Sequence, residues 1–176
     1  MNNEQRMKNL SVPSGKIDVV LDTDAYNEID DQFAIAYLLS AKEKLSAKAI
    51  YAAPFLNRKS KSAADGMQKS YDEILKLLAL MGEEVPVFKG AENYLANETT
   101  PTVSAAAKDL AQRVEAYSPE HPLYVVAIGA ITNVASALLL EPSIAENIVI
   151  VWLGGHAHHF HDTTEFNRVR DSAAAW

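Results

Sequence analysis

Short apolar runs and longer amphipathic stretches alternate along this chain. Lys16 to Leu21 (KIDVVL) is a β-branched run after Pro13 and Gly15, and directly beyond it Ile29, Phe33, Ala36 and Tyr37 recur at the spacing of one helix face. The pattern predicts a strand, a polar turn and a helix. Ala47 to Ala52 (AKAIYA) reads as a second strand ended by Pro54, and Met67, Tyr71, Ile74, Leu75 and Leu78 mark a long amphipathic helix closed by Gly82. Val85 to Phe88 makes a brief third strand, Glu92 to Thr102 a polar loop, and Val103 to Tyr117 an alanine-rich helix. Leu123 to Ile128 (LYVVAI) and Ile148 to Leu153 (IVIVWL) are nearly uninterrupted apolar runs joined by a helix from Ile131 to Leu140. Such runs are the pattern of parallel strands buried on both faces. Residues 1–15 read as an N-terminal arm and 16–176 as an α/β domain with a doubly wound, mostly parallel, Rossmann-like open sheet. Ligands of these sheets bind outside the carboxyl ends of the strands. Chemistry is therefore expected in 22–31, 54–57, 128–133 and 154–167.

Composition narrows the function classes. A chain of 176 residues that is 48% hydrophobic carries enough apolar material for a sizeable core. With 16 Lys and Arg against 23 Asp and Glu, a net charge of -7 disfavours nonspecific attraction to nucleic acid or anionic membrane. Cysteine is absent, which excludes a disulfide framework and thiolate chemistry. The opening MNNEQRMKNLSVPSG has no apolar stretch of the secretory-signal kind. A soluble, cytoplasmic protein with neither nucleic-acid nor membrane partners is expected.

The candidate chemistry is concentrated in LDTDAYNEIDD, where Asp22, Asp24, Glu28, Asp30 and Asp31 crowd into a turn after the first strand. Mutual repulsion makes this arrangement costly unless a cation offsets it, and Ca2+ and Mg2+ take oxygen ligands of this kind. Solvated acids complementing the helix dipole are the alternative. An EF-hand loop starting at Asp22 fails, because Asn27 and Phe33 stand where glycine and glutamate are needed. A phosphotransferase of the haloacid dehalogenase kind would use Asp22 and Asp24 but leaves Asp30 and Asp31 unexplained.

LDTDAYNEIDDQFAIAYLL resembles the amino-terminal signature of the nucleoside hydrolases, DTDPGxDDxxAI, with AYNEI in place of PGx and so two residues longer. The resemblance implies that Asp24 ligates Ca2+ and serves as general base toward water. It makes Asp31 a second, bidentate ligand and Asp30 an acceptor for a ribose hydroxyl. AIGAITNVASALLLEP is similar to the family block in which a backbone carbonyl ligates calcium, here that of Ile128. Leu153 to Gly155 with Glu165, Phe166 and Asn167 resembles a GG…EFN pattern, whose Glu and Asn bind ribose hydroxyls. Asn57 matches a site-facing Asn after the second strand. The implied reaction is calcium-dependent hydrolysis of ribonucleosides to ribose and free base, with no organic cofactor.

The family domain continues beyond a position like Trp176, where it supplies another ligating Asp and a His assisting base departure. Impaired turnover by this chain, and a homo-oligomer formed over uncovered apolar surface, are accordingly expected. Two other readings stand beside the hydrolase: a noncatalytic ribose- or metal-binding remnant, and a Mg2+-dependent phosphotransferase. The cluster His156, His158, His159 and His161 reads as a loop at the rim of the site rather than a dedicated metal centre, and Arg168 and Arg170 as surface cations balancing Asp171 or as ion-pair partners of a neighbouring acidic loop.

Overall fold

The computed structural model describes residues 1–175. Its elements are α1 (Asn3–Asn9), β1 (Ile17–Thr23), α2 (Ile29–Ser40), β2 (Leu45–Ala52), α3 (Ala63–Met81) and β3 (Val87–Lys89). They continue with α4 (Ala105–Arg113), β4 (Leu123–Ala127), α5 (Thr132–Leu140), β5 (Ile148–Trp152) and α6 (Phe166–Arg170). The strands form one sheet in the order β3-β2-β1-β4-β5, and every pairing is parallel. The doubly wound α/β architecture read from the sequence is the one observed.

Each face of the sheet carries its own core. On one side Ala106, Ala107 and Leu110 of α4 and Val134 and Ala137 of α5 pack on Val20, Tyr51, Leu123 and Val125. On the other, Ile35, Leu38 and Leu39 of α2 and Met67, Ile74 and Leu78 of α3 cover Val19, Leu21 and Ile50. Burial on both faces explains why β1 and β4 lack polar alternation. α3 starts where the Ser62 side chain accepts from the Asp65 amide at 3.1 Å and stops at Gly82, whose φ of 66° is the left-handed conformation glycine tolerates.

Several boundaries differ from expectation for identifiable reasons. Ser104 accepts the Ala107 amide at 3.1 Å, so α4 begins two residues later than expected, and residues 114–116 tighten into a 3-10 turn before Tyr117. β3 is displaced toward Lys89 because Pro86 has no amide hydrogen to offer; its carbonyl instead accepts Ile50 N at 2.9 Å. The arm contains α1, held by Asn9 and Gln5 amides donating to the Pro119 carbonyl at 2.7 and 3.0 Å. The helix expected after the acidic turn is α2. Its Ile29, Phe33 and Tyr37 are 68, 70 and 71% exposed, whereas Asp31, Ile35, Leu38 and Leu39 face inward, so α2 is apolar on two sides. Among the described residues, no helix is long and apolar enough to cross a membrane.

Candidate functional site

In this strand order β2 lies on one side of β1 and β4 on the other, so the connections leaving their carboxyl ends diverge. A crevice opens at such a reversal. Asp22 and Thr23 end β1, Asp24 and Asn27 follow in the turn, and Asp31 enters from the first turn of α2. All five side chains are buried.

The three aspartates share one design. Asp22 Oδ1 accepts from Asn133 Nδ2 at 2.8 Å, while its buried Oδ2 has no partner; desolvation outweighs that bond and lifts the carboxyl to about 7. Asp24 Oδ2 accepts from Asn27 Nδ2 at 2.9 Å, yet burial, followed by the charge of Asp31, raises it to about 8. Asp31 Oδ1 accepts from the Thr23 hydroxyl at 2.5 Å, and burial raises it to about 6. Neutral donors thus orient carboxylates whose charges are left uncompensated. A β-carbon at position 129 would stand 3.0 Å from Asp24 Oδ1, so Gly129 keeps the approach to that oxygen open.

Two amides set this geometry from behind. Asn133 donates to Asp22 and, at 3.4 Å, to the Ala52 carbonyl, and it accepts Ala91 N at 2.8 Å; it therefore ties α5 to the ends of β1, β2 and β3. Asn57 Nδ2 donates to Asn27 Oδ1 at 2.6 Å, and Lys59 donates to the Asn27 carbonyl, which steadies the amide that holds Asp24.

The segment after β5 closes the far side. Glu165 caps α6: its carboxylate accepts the amides of Asn167 at 2.8 Å, Arg168 at 2.9 Å and Gly155 at 2.7 Å. Asn167 Nδ2 bridges the Leu153 and Ile128 carbonyls at 2.9 and 3.2 Å. Buried Asp171 accepts from Thr132 Oγ1 at 2.6 Å, Leu95 N at 3.0 Å and Ala174 N at 3.0 Å, locking the start of α5 and the loop after β3 to the C-terminal turn. The histidine loop is largely self-paired. Asp162 meets His156 Nδ1 at 3.0 Å and His161 Nε2 at 3.1 Å, with the Phe160 ring packed against both imidazoles.

The sequence pattern of the family described as inosine-uridine preferring nucleoside hydrolase matches residues 19–176. This chain belongs to that family. Among solved structures, a plant nucleoside hydrolase is 25% identical, with a TM-score of 0.68 over 93% of this chain and 56% of its own. A purine-preferring ribonucleoside hydrolase from Gardnerella vaginalis is 23% identical, with a TM-score of 0.70 over 90% of this chain and 56% of its own. An inosine-guanosine nucleoside hydrolase is 24% identical at a TM-score of 0.65, covering 90% and 54%. The chain thus spans little more than half the length of these enzymes. No curated protein matches it.

Of the residues that the nucleoside hydrolase resemblance singles out, Asp24, Asp31, Asn57, the Ile128 carbonyl, Glu165 and Asn167 all belong to the connected set around the crevice. Asp30 stands apart: it is exposed on the first turn of α2 and acts on Asp31 only through its charge. Asn27 comes from the turn that is longer than the family signature, and there it holds Asp24. Sequence reasoning placed Asp22 in the acidic turn, with a role of its own only in the phosphotransferase reading, and assigned none to Thr23, Asn27, Asn133 or Asp171. Asn133 and Asp171 act through contacts distant in sequence, which no local pattern records.

Proposed function

We propose that this chain forms the calcium-binding, water-activating and ribose-contacting part of an N-ribohydrolase that converts ribonucleosides to ribose and free base. The observation that carries the reading is the trio of buried aspartates with raised pKa values at the sheet reversal of a nucleoside hydrolase fold. Asp24, Asp31 and the Ile128 carbonyl offer the oxygen donors that a hard cation prefers, and the opening kept by Gly129 leaves Asp24 Oδ1 accessible. Among the described residues no cluster of three or more His, Asp or Glu side chains is placed to hold a metal; two carboxylates with a backbone carbonyl are a different kind of set. Bound Ca2+ supplies positive charge that lowers the pKa of water.

In this reading Asp24, whose Oδ1 faces the opening kept by Gly129, takes the proton of the attacking water, and bound Ca2+ would offset the burial and the Asp31 charge that otherwise oppose its ionisation. Asp31 compensates the cation. Asp30, exposed beside it, is available to accept from a sugar hydroxyl. Glu165 and Asn167 position the far wall through the bonds they make to backbone. Fully buried Asp22 is a poor candidate for an aspartyl nucleophile, which weighs against the phosphotransferase reading.

Calorimetry of the chain with inosine and uridine, in calcium and in chelator, together with a ribose assay, tests the proposal. Calcium-dependent binding is expected, with ribose release that is slow and stops on chelation. Binding without release would leave a ribose-binding module and remove the hydrolase; no binding in calcium would remove both.

A self-associating, cytoplasmic protein is also proposed. The support is the exposed apolar row Ile29, Phe33 and Tyr37 on α2, together with Val151 and Leu153, 52 and 59% exposed, at the sheet edge. Sedimentation velocity should show dimers or larger species at micromolar concentration, and a monomer throughout would contradict the association.

A further inference from the structure

The loop that leaves β2 is a basic stretch at the carboxyl end of the sheet. In residues 56–62 (LNRKSKS), Arg58, Lys59 and Lys61 follow one another with no acid between them, in a chain whose net charge is -7. All three are exposed. The backbone that carries them is held in place. Ser60 Oγ donates to the Phe55 carbonyl at 3.0 Å and accepts the Asn57 amide at 3.2 Å, while Asn57 Oδ1 accepts the Lys59 amide at 2.8 Å. Lys69 of α3 fastens the same turn by donating to the Lys59 carbonyl at 2.7 Å.

Lys59 links this loop to the carboxylates. Its ammonium donates to the Asn27 carbonyl, and the Asn27 side chain donates to Asp24 and accepts from Asn57. A single residue therefore stands between an exposed ammonium and the buried carboxylate read above as the base. The ordinary task of a lysine beside such a turn would be to neutralise its acids, and Lys59 does not perform it. Among the described residues neither Arg58 nor Lys59 is in an ion pair, and Asp65, the next acid along the chain, is taken by Lys69 at 2.8 Å. Burial first and the charge of Asp31 next govern Asp24, with no cation in the balance. An ammonium has three hydrogens to donate, and the Asn27 carbonyl takes one of them. Charge and donors are thus left over at the mouth of the crevice.

We propose that the loop after β2, through Lys59, binds a phosphate carried by the sugar, so that the preferred substrates are ribonucleoside monophosphates. The inference rests on the ribohydrolase reading and deepens it by naming the substrate class. An ammonium is a point charge with rotatable donors, which suits a phosphate dianion, and the charges of Arg58 and Lys61 add to the field that draws one in. The anion has to be met from β2, since Glu28 and Asp30 expose carboxylates at the start of α2. The reaction keeps its form. The bond from C1′ to the base breaks, the hydroxyl of water goes to C1′ and its proton to the base, and the phosphate stays on the sugar.

The test is titration calorimetry of the full chain in saturating calcium, with inosine and with its 5′- and 3′-monophosphates as probes. One monophosphate should bind about 10-fold tighter than inosine, the effect of one charge-assisted hydrogen bond at an exposed site. That advantage should shrink when about 0.5 M salt is added. Lys59→Met should bring the ratio of the two affinities to about one, and Lys59→Arg should keep most of it. A ratio near one in the wild-type chain for both monophosphates overturns the proposal and leaves the ribohydrolase reading standing. Wild-type protein that binds none of the three in calcium overturns both. A Lys59→Met chain that keeps the wild-type ratio, whatever happens to its affinity for inosine, marks Lys59 as a brace for Asn27 alone and also overturns the proposal.

Discussion

Asp24→Asn will weaken calcium binding at least about 100-fold and, where ribose release is measured, lower it by about 10²- to 10⁴-fold, while making the metal-free chain more stable at pH 8. The opposite signs follow from one cause. Asp24 is a buried carboxylate whose ionisation is opposed first by desolvation and then by the charge of Asp31. An amide of the same shape removes that penalty, can still accept from Asn27 Nδ2, and loses both a cation ligand and a base. A rise of ~3–8 °C in melting temperature in chelator is expected, corresponding to relief of about 1–2 kcal/mol. Calcium titration calorimetry with paired thermal melts checks it. A variant that binds calcium like wild type, or that melts well below it in chelator, would place the critical charge elsewhere.

The stability of the metal-free chain should fall as pH rises. Asp22, Asp24 and Asp31 have folded-state values of about 7, 8 and 6 against 3.8 for an unperturbed aspartate. Between roughly pH 4 and pH 8 the folded chain therefore holds more protons than the unfolded one, and the slope of unfolding free energy with pH is negative. The penalty is absent below the unfolded value and complete above the highest folded one. Between pH 5.5 and 8.5 it amounts to about 6 kcal/mol, or roughly 12–24 °C in melting temperature, in EDTA. Calcium at 100 times its Kd returns about 2.7 kcal/mol of this at the alkaline end. A melting temperature that is level or climbing over that range in EDTA would mean the carboxyls are not desolvated as described.

Much of the architecture was legible because the local signals agreed with one another. The β-branched runs at β1, β4 and β5, the apolar spacing and Gly82 of α3, and the crowded acids after β1 all point to a parallel sheet with its chemistry at one end. The helix at α2 was legible from the spacing of Ile29, Phe33 and Tyr37, but the face it buries was not, since Ile35, Leu38 and Leu39 form a second apolar row and only packing on the sheet distinguishes the two. The carboxylates themselves were visible in the sequence. The groups that orient them were not: Asn133 lies 111 residues from Asp22, and Asp171 lies 76 from Leu95.

Asn133 has a consequence for how the molecule opens. Its single carboxamide touches the ends of β1 and β2 and the first residues beyond β3, so none of those ends can fray independently without breaking a buried bond. The Ala91 amide hydrogen is accordingly shielded from solvent until the whole crevice comes apart. Its exchange with deuterium therefore follows the cooperative loss of the sheet rather than the loosening of a three-residue edge strand.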